Sequence, residues 1–328
     1  MRIAILGAGA WGCALAMVLT DAGHEVALWE IDAGAAARLT HERHHAYLGV
    51  RLPDAVAITS DILLAVRERE VVIVTTPSEF VRPTLAQASP GLAAGAVVVC
   101  AAKGLESRGH MTMDGVIAEV LPGTPFALLS GPTFAKEIAA GLPAAVVVAS
   151  PNPETAAAVQ RGLASARLRV YTSDDVVGVA LGGALKNVVA IAVGVSDGLG
   201  MGGNARAALI TRGLSEMGRL ALRLGAHPLT MAGLAGLGDL VLTCTGDLSR
   251  NRQVGLALGR GEHLAAVLAR LGQVAEGVET ARIAAELAVS LGVPMPITAN
   301  VAAVLFAGLP PRQAMTEILS RDARAERD

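Results

Sequence analysis

The stretch that decides the fold is MRIAILGAGAWG, residues 1–12. Residues 2–6 are typical of a short buried strand, and Gly7, Gly9 and Gly12 follow with the spacing Gly-x-Gly-x-x-Gly. Apolar residues then recur at helical spacing until Gly23. The stretch therefore predicts a strand, a tight turn and a helix, which is the arrangement that binds a dinucleotide.

Each glycine of this turn has its own physical role. Gly7 makes the tight turn, Gly9 lets the backbone approach a pyrophosphate, and Gly12 lets the helix pack on the strand. The backbone N–H groups at the helix start point toward the anion. We therefore predict that the turn holds the pyrophosphate of a nicotinamide cofactor.

An acidic residue ends the second predicted strand. Glu30 follows residues 26–29, in the place where NAD-selective folds carry an acid that hydrogen-bonds the ribose 2′-OH. A 2′-phosphate would meet Glu30 and Asp32, with no cation before Arg38. The sequence therefore favours NAD over NADP, whereas a solvated strand-end glutamate is the structural alternative.

Strand-like runs alternate with helical or loop segments through the first half of the chain. They cover residues 2–6, 26–29, 56–59, 71–75, 97–101, 126–129, 145–149 and 168–171. This alternation indicates a largely parallel, doubly wound sheet, and after Thr172 the apolar spacing becomes helical. We predict an α/β protein with an N-terminal doubly wound Rossmann domain over residues 1–173 and an all-helical C-terminal substrate domain over residues 174–328.

Composition excludes several classes of protein. The formal net charge is −2 with both signs interspersed, so we expect no nucleic acid and no anionic membrane surface as partner. Cys13, Cys100 and Cys244 lack the spacing of a disulfide framework, which favours free thiols in a reducing cytoplasm. A strand pattern starts within three residues of Met1, so we expect no leader for export. No metal site is predicted.

One apolar stretch, residues 176–195, is interrupted only by Lys186 and Asn187. A lysine at mid-span costs about 2.5–3.5 kcal/mol on insertion into a membrane, so we predict a buried helix of a soluble protein and no integral membrane segment. Desolvation is expected to lower the pKa of Lys186 from about 10.4 toward values useful for proton transfer. The alternative is a structural, paired lysine.

The Gly182-Gly183 pair precedes that lysine in the same predicted helix. Each glycine costs about 1 kcal/mol relative to alanine in a helix interior. Close approach of another backbone or of a ligand would offset this cost. We therefore expect a close contact at this pair.

Two further charged residues are candidates for the site. Lys103 follows a strand at the predicted carboxyl edge of the sheet, where we expect a substrate contact, with a surface lysine as the alternative. Asp239 is the only charged residue between Met231 and Gly246, so we expect it to be buried and paired, with Lys186 as its natural partner. A helix cap is the alternative for the aspartate.

Two polar segments complete the set of candidates. Ser249-Arg250-Asn251 combines hydroxyl, guanidinium and amide donors, which suit a phosphate or a polyol. A polar turn that opens a helix is the alternative. Gly131-Pro132-Thr133 follows a strand and can present backbone N–H groups and a hydroxyl to a ligand. Alone, that segment reads as an ordinary turn.

Six segments together resemble the bacterial NAD(P)-dependent glycerol-3-phosphate dehydrogenases. They are the glycine turn, AKGLE at 102–106, GPTFA at 131–135, LKN at 185–187, GLGDL at 236–240 and SRN at 249–251. The resemblance extends to about Pro296. It implies reversible hydride transfer between a nicotinamide cofactor and dihydroxyacetone phosphate or sn-glycerol 3-phosphate, a homodimer, and a supply of glycerol 3-phosphate for phospholipid synthesis.

The resemblance also implies roles for individual residues. Lys186 is implied as the proton donor or acceptor. The substrate is implied to contact Lys103, Gly131, Thr133, Lys186, Asp239, Ser249, Arg250 and Asn251. Cofactor contacts are implied at Ala10, Trp11, Lys103, Ala135, Arg250, Val274 and Glu276.

Two departures and two alternatives stay open at this point. Ala10 stands where many relatives carry Ser, and Glu30 stands near where relatives often carry a basic residue or histidine, which favours NAD. A 3-hydroxyacid or 6-phosphogluconate type dehydrogenase would share the two-domain plan, although the Ser249 and Gly131 segments argue against it. A non-catalytic NAD-sensing module would have no need of both Lys186 and Asp239.

Overall fold

Eight strands form one sheet in the first part of the chain, and every one overlaps a run predicted from the sequence. The computed structural model describes residues 1–272 and 274–319. A small antiparallel hairpin, β3 with β4, was not predicted. The strands are β1 Arg2–Leu6, β2 Glu25–Trp29, β3 His44–His45, β4 Val50–Arg51, β5 Ala57–Thr59, β6 Val71–Val74, β7 Val97–Cys100, β8 Phe126–Ser130, β9 Ala144–Ala149 and β10 Leu168–Ser173.

Helices and loops connect these strands, and the described chain after β10 consists of helices joined by loops. The α-helices are α1 Ala10–Asp21, α2 Ala33–Glu42, α3 Ile62–Val66, α4 Ser78–Ala88, α5 Met113–Val120, α6 Ala135–Ala139, α7 Pro153–Leu163, α8 Val176–Gly198, α9 Gly202–Arg223, α10 Pro228–Met231, α11 Asp239–Thr245, α12 Arg250–Gly259, α13 Leu264–Leu271, α14 Glu276–Leu291, α15 Pro296–Phe306 and α16 Pro311–Leu319. Short 3₁₀ turns cover Ser89–Gly91 and Arg108–His110, and a π-helical turn covers Leu234–Gly238.

The strand order is β10-β9-β8-β7-β6-β1-β2-β5. Neighbours run parallel except β8 and β9, so β9 and β10 run against the other six strands. The chain changes direction across the sheet between β1 and β6, which is the switch point where doubly wound sheets bind ligands. The predicted fold class, a largely parallel doubly wound sheet followed by helices, is confirmed for the described residues.

The register of the sheet brings the ends of its central strands to one edge. Leu6 pairs with both Trp29 and Val74, Val74 pairs with Cys100, and Cys100 pairs with Leu128. These strands are parallel, so the segments that follow them leave from the same side of the sheet. The glycine turn and the two predicted substrate loops after β7 and β8 therefore start from one edge.

Both faces of the sheet are covered, as parallel strands require. Along β1, Ile3 and Ile5 belong to one buried cluster and Ala4 and Leu6 to another, because successive side chains point to opposite faces. Helices α1 and α7 cover the first face, and α4, α5 and the start of α8 cover the second. Burial on both faces explains why the central strands read as continuous runs of valine and isoleucine.

Contacts divide the chain into two compact units. The first unit comprises Met1–Gly183 together with Gly225–Asp239, and the second comprises Ala184–Leu224 together with the described residues from Leu240 onward. The first unit therefore extends beyond the boundary at 173/174 that the sequence suggested. The first turns of α8 pack on the sheet through Val176 and Val179, which accounts for the extension.

The described part of the second unit consists of helices joined by loops, with a buried carboxylate inside it. Glu216 of α9 is 2% exposed, and its Oε1 accepts a hydrogen bond from the backbone N–H of Ile297 at 2.6 Å. Its Oε2 accepts from the N–H of Thr298 at 3.2 Å. Glu216 thus caps the start of α15 from another helix. Burial raises the pKa of Glu216, and the two backbone hydrogen bonds oppose that rise.

Two helical stretches are long and apolar enough to cross a membrane by length and composition. They are Val176–Gly198 and Pro228–Thr245. In the first, 83% of the apolar window is buried in protein, and in the second 39%. The buried helix predicted for residues 176–195 is confirmed. The absence of a membrane segment stays a prediction.

Candidate active site

The glycine turn after β1 packs closely, as the sequence predicted. Gly7 has a φ of +117°, which favours glycine. A Cβ on Gly12 would lie 1.9 Å from the carbonyl oxygen of Gly7 and 2.8 Å from Thr75 Oγ1, so only glycine lets α1 start directly against the strand. A Cβ on Gly9 would meet nothing within 4 Å. The turn thus leaves open space at the start of α1, a cradle that fits a pyrophosphate.

Acidic and basic groups both lie beyond β2, at the same edge of the sheet. Glu30 is half-buried and its Oε1 accepts a hydrogen bond from the N–H of Asp32 at 3.1 Å. Asp32 caps α2. A Cβ on Gly34 would lie 3.3 Å from Asp32 Oδ1 and 3.5 Å from Arg38 Nη1, so the guanidinium reaches back to the start of α2. The sequence alone did not show that the side chain of Arg38 extends toward Gly34.

Lys103 joins three of the predicted substrate residues in the first unit. Its Nζ donates to Gly131 O at 2.8 Å, to Thr133 Oγ1 at 3.2 Å and to Asp239 Oδ2 at 2.8 Å. The side chain of Asp239 is 1% exposed and that of Lys103 is 14% exposed. The prediction that Asp239 is buried and paired is confirmed. Its pairing with Lys186 stays a prediction.

The Gly182-Gly183 pair of α8 admits a close contact, as expected. A Cβ on Gly182 would lie 2.6 Å from the carbonyl oxygen of Ala235, in the π-helical turn Leu234–Gly238. A Cβ on Gly183 would lie 2.9 Å from Ser130 Oγ. The backbone of the π-helical turn therefore packs on α8 with no side chain between them, and this turn leads directly into α11.

Lys186 lies in the second unit, where it is 6% exposed. The predicted burial of this lysine is confirmed. Its Nζ donates a hydrogen bond to Thr243 Oγ1 at 2.8 Å, and Thr243 on α11 is 4% exposed. The hydrogen bond holds the ammonium in a defined orientation away from bulk water. The sequence did not single out Thr243, because a threonine within an apolar helix gives no signal without its partner.

Two buried amide side chains connect three helices of the second unit. Asn251 Nδ2 donates to Asn187 Oδ1 at 2.8 Å, and the N–H of Gly277 donates to Asn251 Oδ1 at 3.0 Å. A Cβ on Gly277 would lie 2.7 Å from the carbonyl oxygen of Asn187. Helices α8, α12 and α14 therefore meet beside Lys186 without room for a larger residue at Gly277.

Reciprocal glycines bring α8 and α12 into backbone contact. A Cβ on Gly194 would lie 2.2 Å from a carbonyl oxygen of α12, and one on Gly255 would lie 2.0 Å from a carbonyl oxygen of α8. Gly198 and Gly259 repeat this contact one turn later, each with a 2.4 Å approach. Small residues spaced by four allow such close crossings of helices. The start of α12 is therefore fixed against α8.

A buried ion pair also holds the first turn of α12. Arg252 donates to Asp197 Oδ2 from Nε at 3.0 Å and from Nη2 at 2.8 Å, and Arg206 Nε donates to Asp197 Oδ1 at 2.9 Å. Ser249 Oγ accepts from the N–H of Arg252 at 3.2 Å and caps the helix. The segment Ser249-Arg250-Asn251 therefore starts a rigid helix. The sequence did not indicate Asp197.

Comparison with known proteins assigns both halves of the chain to one family. The sequence models of the N-terminus and the C-terminus of NAD-dependent glycerol-3-phosphate dehydrogenase match residues 2–156 and 175–316. A glycerol-3-phosphate dehydrogenase (NAD(P)+) of Geobacter sulfurreducens is 51% identical over 99% of each chain. The chain belongs to the NAD-dependent glycerol-3-phosphate dehydrogenase family.

Further similar proteins agree with this membership. A glycerol-3-phosphate dehydrogenase (NAD(P)+) of Anaeromyxobacter dehalogenans is 50% identical over 99% of this chain and 100% of its own. The crystal structure of glycerol-3-phosphate dehydrogenase from Coxiella burnetii superposes with a TM-score of 0.95 at 40% identity, over 98% of this chain and 99% of that one. The resemblance found in the sequence is confirmed. Family membership decides against the 3-hydroxyacid and 6-phosphogluconate alternative.

The substrate residues that the family resemblance implied differ in exposure. Arg250 is exposed at the start of α12, whereas Ser249 is 3% and Asn251 is 8% exposed. The hydroxyl of Ser249 and the amide of Asn251 both make hydrogen bonds within the protein. Of the three, Arg250 presents its side chain most openly. Their contacts with a substrate stay predictions.

The implied cofactor residues lie in both units. Ala10 and Trp11 begin α1 and Ala135 begins α6, and all three pack against the same buried cluster of the first unit. In the second unit, Val274 is 39% exposed and Glu276 begins α14. Neither of the last two carries a signal that sequence reasoning without the family would detect. Their roles toward a cofactor stay predictions.

Proposed function

We propose that the protein catalyses reversible hydride transfer between a nicotinamide dinucleotide and dihydroxyacetone phosphate, which gives sn-glycerol 3-phosphate. The observation that carries the proposal is the buried Lys186, hydrogen-bonded to Thr243, in a chain of this family. The dinucleotide, bound at the glycine turn, would supply or take up the hydride. The protein would thereby supply glycerol 3-phosphate for phospholipid synthesis.

Lys186 is proposed as the general acid and base. In the reducing direction its ammonium donates a proton to the oxygen that becomes the C2 hydroxyl, and in the oxidising direction its amine accepts that proton. The 2.8 Å hydrogen bond to Thr243 Oγ1 restrains the direction in which Nζ points. Such orientation matters because proton transfer requires the donor and the acceptor atoms within hydrogen-bond reach.

The remaining polar residues are proposed to bind and orient the substrate. Lys103, which already contacts the loop after β8 and Asp239, is proposed to contact the substrate. Asp239 is proposed to orient it. The exposed guanidinium of Arg250 suits a phosphate. Ser249 and the other implied donors are proposed to donate further hydrogen bonds to the substrate.

The test of the proton-transfer role is Lys186→Ala. Turnover of dihydroxyacetone phosphate should fall by about 10²–10⁴-fold, the range that general acid–base groups contribute, while the affinity for NADH is retained. Lys136→Ala is the matched control, because it removes the same charge from a lysine that stacks on Tyr47 in the first unit. Turnover within about tenfold of the wild type would show that Lys186 is not the acid.

NAD is proposed as the preferred cofactor over NADP, on the strength of the acidic end of β2. Glu30 and Asp32 would repel a 2′-phosphate, whereas the guanidinium of Arg38 near Gly34 would attract one. Rates measured in parallel with NADH and NADPH decide between these effects. A strong preference for NADPH would show that Arg38, and not Glu30, determines the selectivity.

The roles of the two predicted domains and the oligomeric state are also part of the proposal. Residues 1–173 bind the dinucleotide, residues 174–328 carry the substrate domain, and the protein works as a cytoplasmic homodimer without a nucleic acid or membrane partner. The formal net charge of −2 supports the absence of a nucleic acid or membrane partner. Light scattering should give twice the chain mass of 33.3 kDa. A single-chain mass at micromolar concentration would refute the dimer.

A further inference from the structure

A buried ion pair anchors the loop that carries Lys103. Arg82 of α4 donates to Glu106 Oε1 from Nε at 2.6 Å and to Oε2 from Nη2 at 2.9 Å. The side chain of Glu106 is 8% exposed and that of Arg82 is 19% exposed. A two-pronged contact of a planar guanidinium with a carboxylate fixes both position and orientation. The pair therefore defines where the chain passes at Glu106.

The backbone at Glu106 is fixed as well. Its N–H donates to the carbonyl oxygen of Met111 at 2.8 Å, and the N–H of Met111 donates back at 3.2 Å. At the other end of the loop, the N–H of Ala101 donates to the carbonyl oxygen of Val74 at 2.9 Å, which continues the sheet. Lys103 lies in the short segment between these two anchors.

The position of Lys103 depends on both anchors, because its ammonium has to meet three groups on two different segments, the loop after β8 and the start of α11. Nζ reaches Gly131 O, Thr133 Oγ1 and Asp239 Oδ2 within 2.8–3.2 Å. A shift of the loop by 1 Å would lengthen these hydrogen bonds beyond useful geometry. The far anchor at Glu106 therefore bears directly on where the ammonium lies.

We propose that Arg82 and Glu106 are positioning residues for Lys103, and that they act on the reaction only through the placement of its ammonium. The proposal rests on the proposed function, in which Lys103 contacts the substrate. Neither residue of the pair is assigned a contact with substrate or cofactor. Loss of the pair should therefore weaken substrate use while cofactor binding is retained.

The chain offers a matched control in Glu119. Arg82 Nη2 also donates to Glu119 Oε2 at 2.8 Å, but the side chain of Glu119 is 48% exposed. Exposed ion pairs contribute little, because water screens them. Glu106→Gln and Glu119→Gln thus remove the same charge from the same arginine, and only the first releases the loop.

The test measures kcat and KM for dihydroxyacetone phosphate and NADH in the full chain. Glu106→Gln should lower kcat/KM for dihydroxyacetone phosphate by about 10–100-fold, since misplacement by 1 Å costs up to about 10². KM for NADH should stay within about twofold, and Glu119→Gln should match the wild type. Arg82→Lys keeps the charge without the two-pronged contact, so its kcat/KM for dihydroxyacetone phosphate should lie between those of Glu106→Gln and Glu119→Gln.

A double-mutant cycle separates positioning from a general structural role. In a Lys103→Ala background, Glu106→Gln should reduce kcat/KM by less than about twofold, because the side chain that it positions is gone. Equal effects of Glu106→Gln with and without Lys103 would overturn the proposal. So would unchanged kcat/KM in a Glu106→Gln variant whose melting temperature equals that of the wild type.

Failure of the proposed function would be distinguishable from failure of this inference. If the wild type does not turn over dihydroxyacetone phosphate, the proposed function is wrong. The loop can still be followed by amide hydrogen exchange of residues 101–106, which Glu106→Gln should accelerate at least tenfold and Glu119→Gln should not. Equal exchange in both variants would show that the pair does not anchor the loop.

Discussion

Gly12 and Gly9 lie three residues apart in one turn, yet the structure gives them opposite tolerance for a methyl group. In Gly12→Ala the Cβ would lie 1.9 Å from the carbonyl oxygen of Gly7. Ordinary van der Waals contact begins at 3.4 Å, so the two atoms would be about 1.5 Å too close. The opposing atom belongs to the backbone and cannot rotate away. We expect a loss at the upper end of the range of about 1–3 kcal/mol for overpacking.

Gly9→Ala should behave differently, because nothing lies within 4 Å of its Cβ and its φ of −68° suits any residue. Its stability should stay within about 1 kcal/mol of the wild type, since the lost preference for glycine at a helix cap is offset by a less flexible unfolded chain. Its methyl group would instead occupy the space proposed for the pyrophosphate. We expect at least a tenfold loss of NADH affinity, about 1.4 kcal/mol.

Two assays read out this pair of variants. Thermal unfolding should show Gly12→Ala melting about 6–12 °C below the wild type, from about 2–4 °C per kcal/mol. Fluorescence titration with NADH should show the affinity loss in Gly9→Ala. The reasoning would be refuted if Gly12→Ala melted within about 2 °C of the wild type. It would equally be refuted if Gly9→Ala lost stability but bound NADH normally.

Two further predictions concern buried ionisable groups. Burial raises the pKa of Glu216 above 4.5 in the folded protein. As the pH rises above 4.5, the unfolded chain therefore loses this proton before the folded chain does. The free energy of unfolding of the wild type should then decrease relative to that of Glu216→Gln. Urea unfolding from pH 4 upward measures this slope, and a difference that grows with pH would contradict it. Burial, with the charge of Glu30, raises the pKa of Cys13 to about 12, so about one thiol in ten thousand is ionised at pH 8. Iodoacetamide should therefore leave Cys13 unmodified in the native protein, as mass analysis of the peptide that contains it would show, and rapid labelling of that peptide without unfolding would disprove its burial.

The sequence predicted those parts of the fold that have a local signal. Continuous valine runs marked β6 and β7, and the spacing of Gly7, Gly9 and Gly12 marked the turn. Apolar neighbours at helical spacing correctly predicted the burial of Lys186. The hairpin of β3 and β4 has two residues in each strand, too few to show an alternating pattern.

What the sequence did not predict are pairings over long separations. Lys103 and Asp239, which form an ion pair, are 136 residues apart, and Lys186 and Thr243 are 57 residues apart. Lys103, Asp239 and Lys186 can be recognised as charged residues in an apolar setting and Thr243 cannot, and no periodicity indicates which residues meet. The antiparallel direction of β9 was not predicted either, because a strand-like run does not indicate the direction in which the strand crosses the sheet.

The glycines and the lysine of α8 share one helical phase. Gly182 admits the π-helical turn and Gly183 admits Ser130, Lys186 follows one turn later, and Gly194 meets α12 two turns beyond. Each residue advances the helix by about 100°. Deletion of a single residue between Gly183 and Lys186 would therefore turn Lys186 by about 100° around the helix axis relative to Gly182 and Gly183. We therefore expect a one-residue deletion at this point of α8 to disturb the site more than a single substitution on its exposed positions.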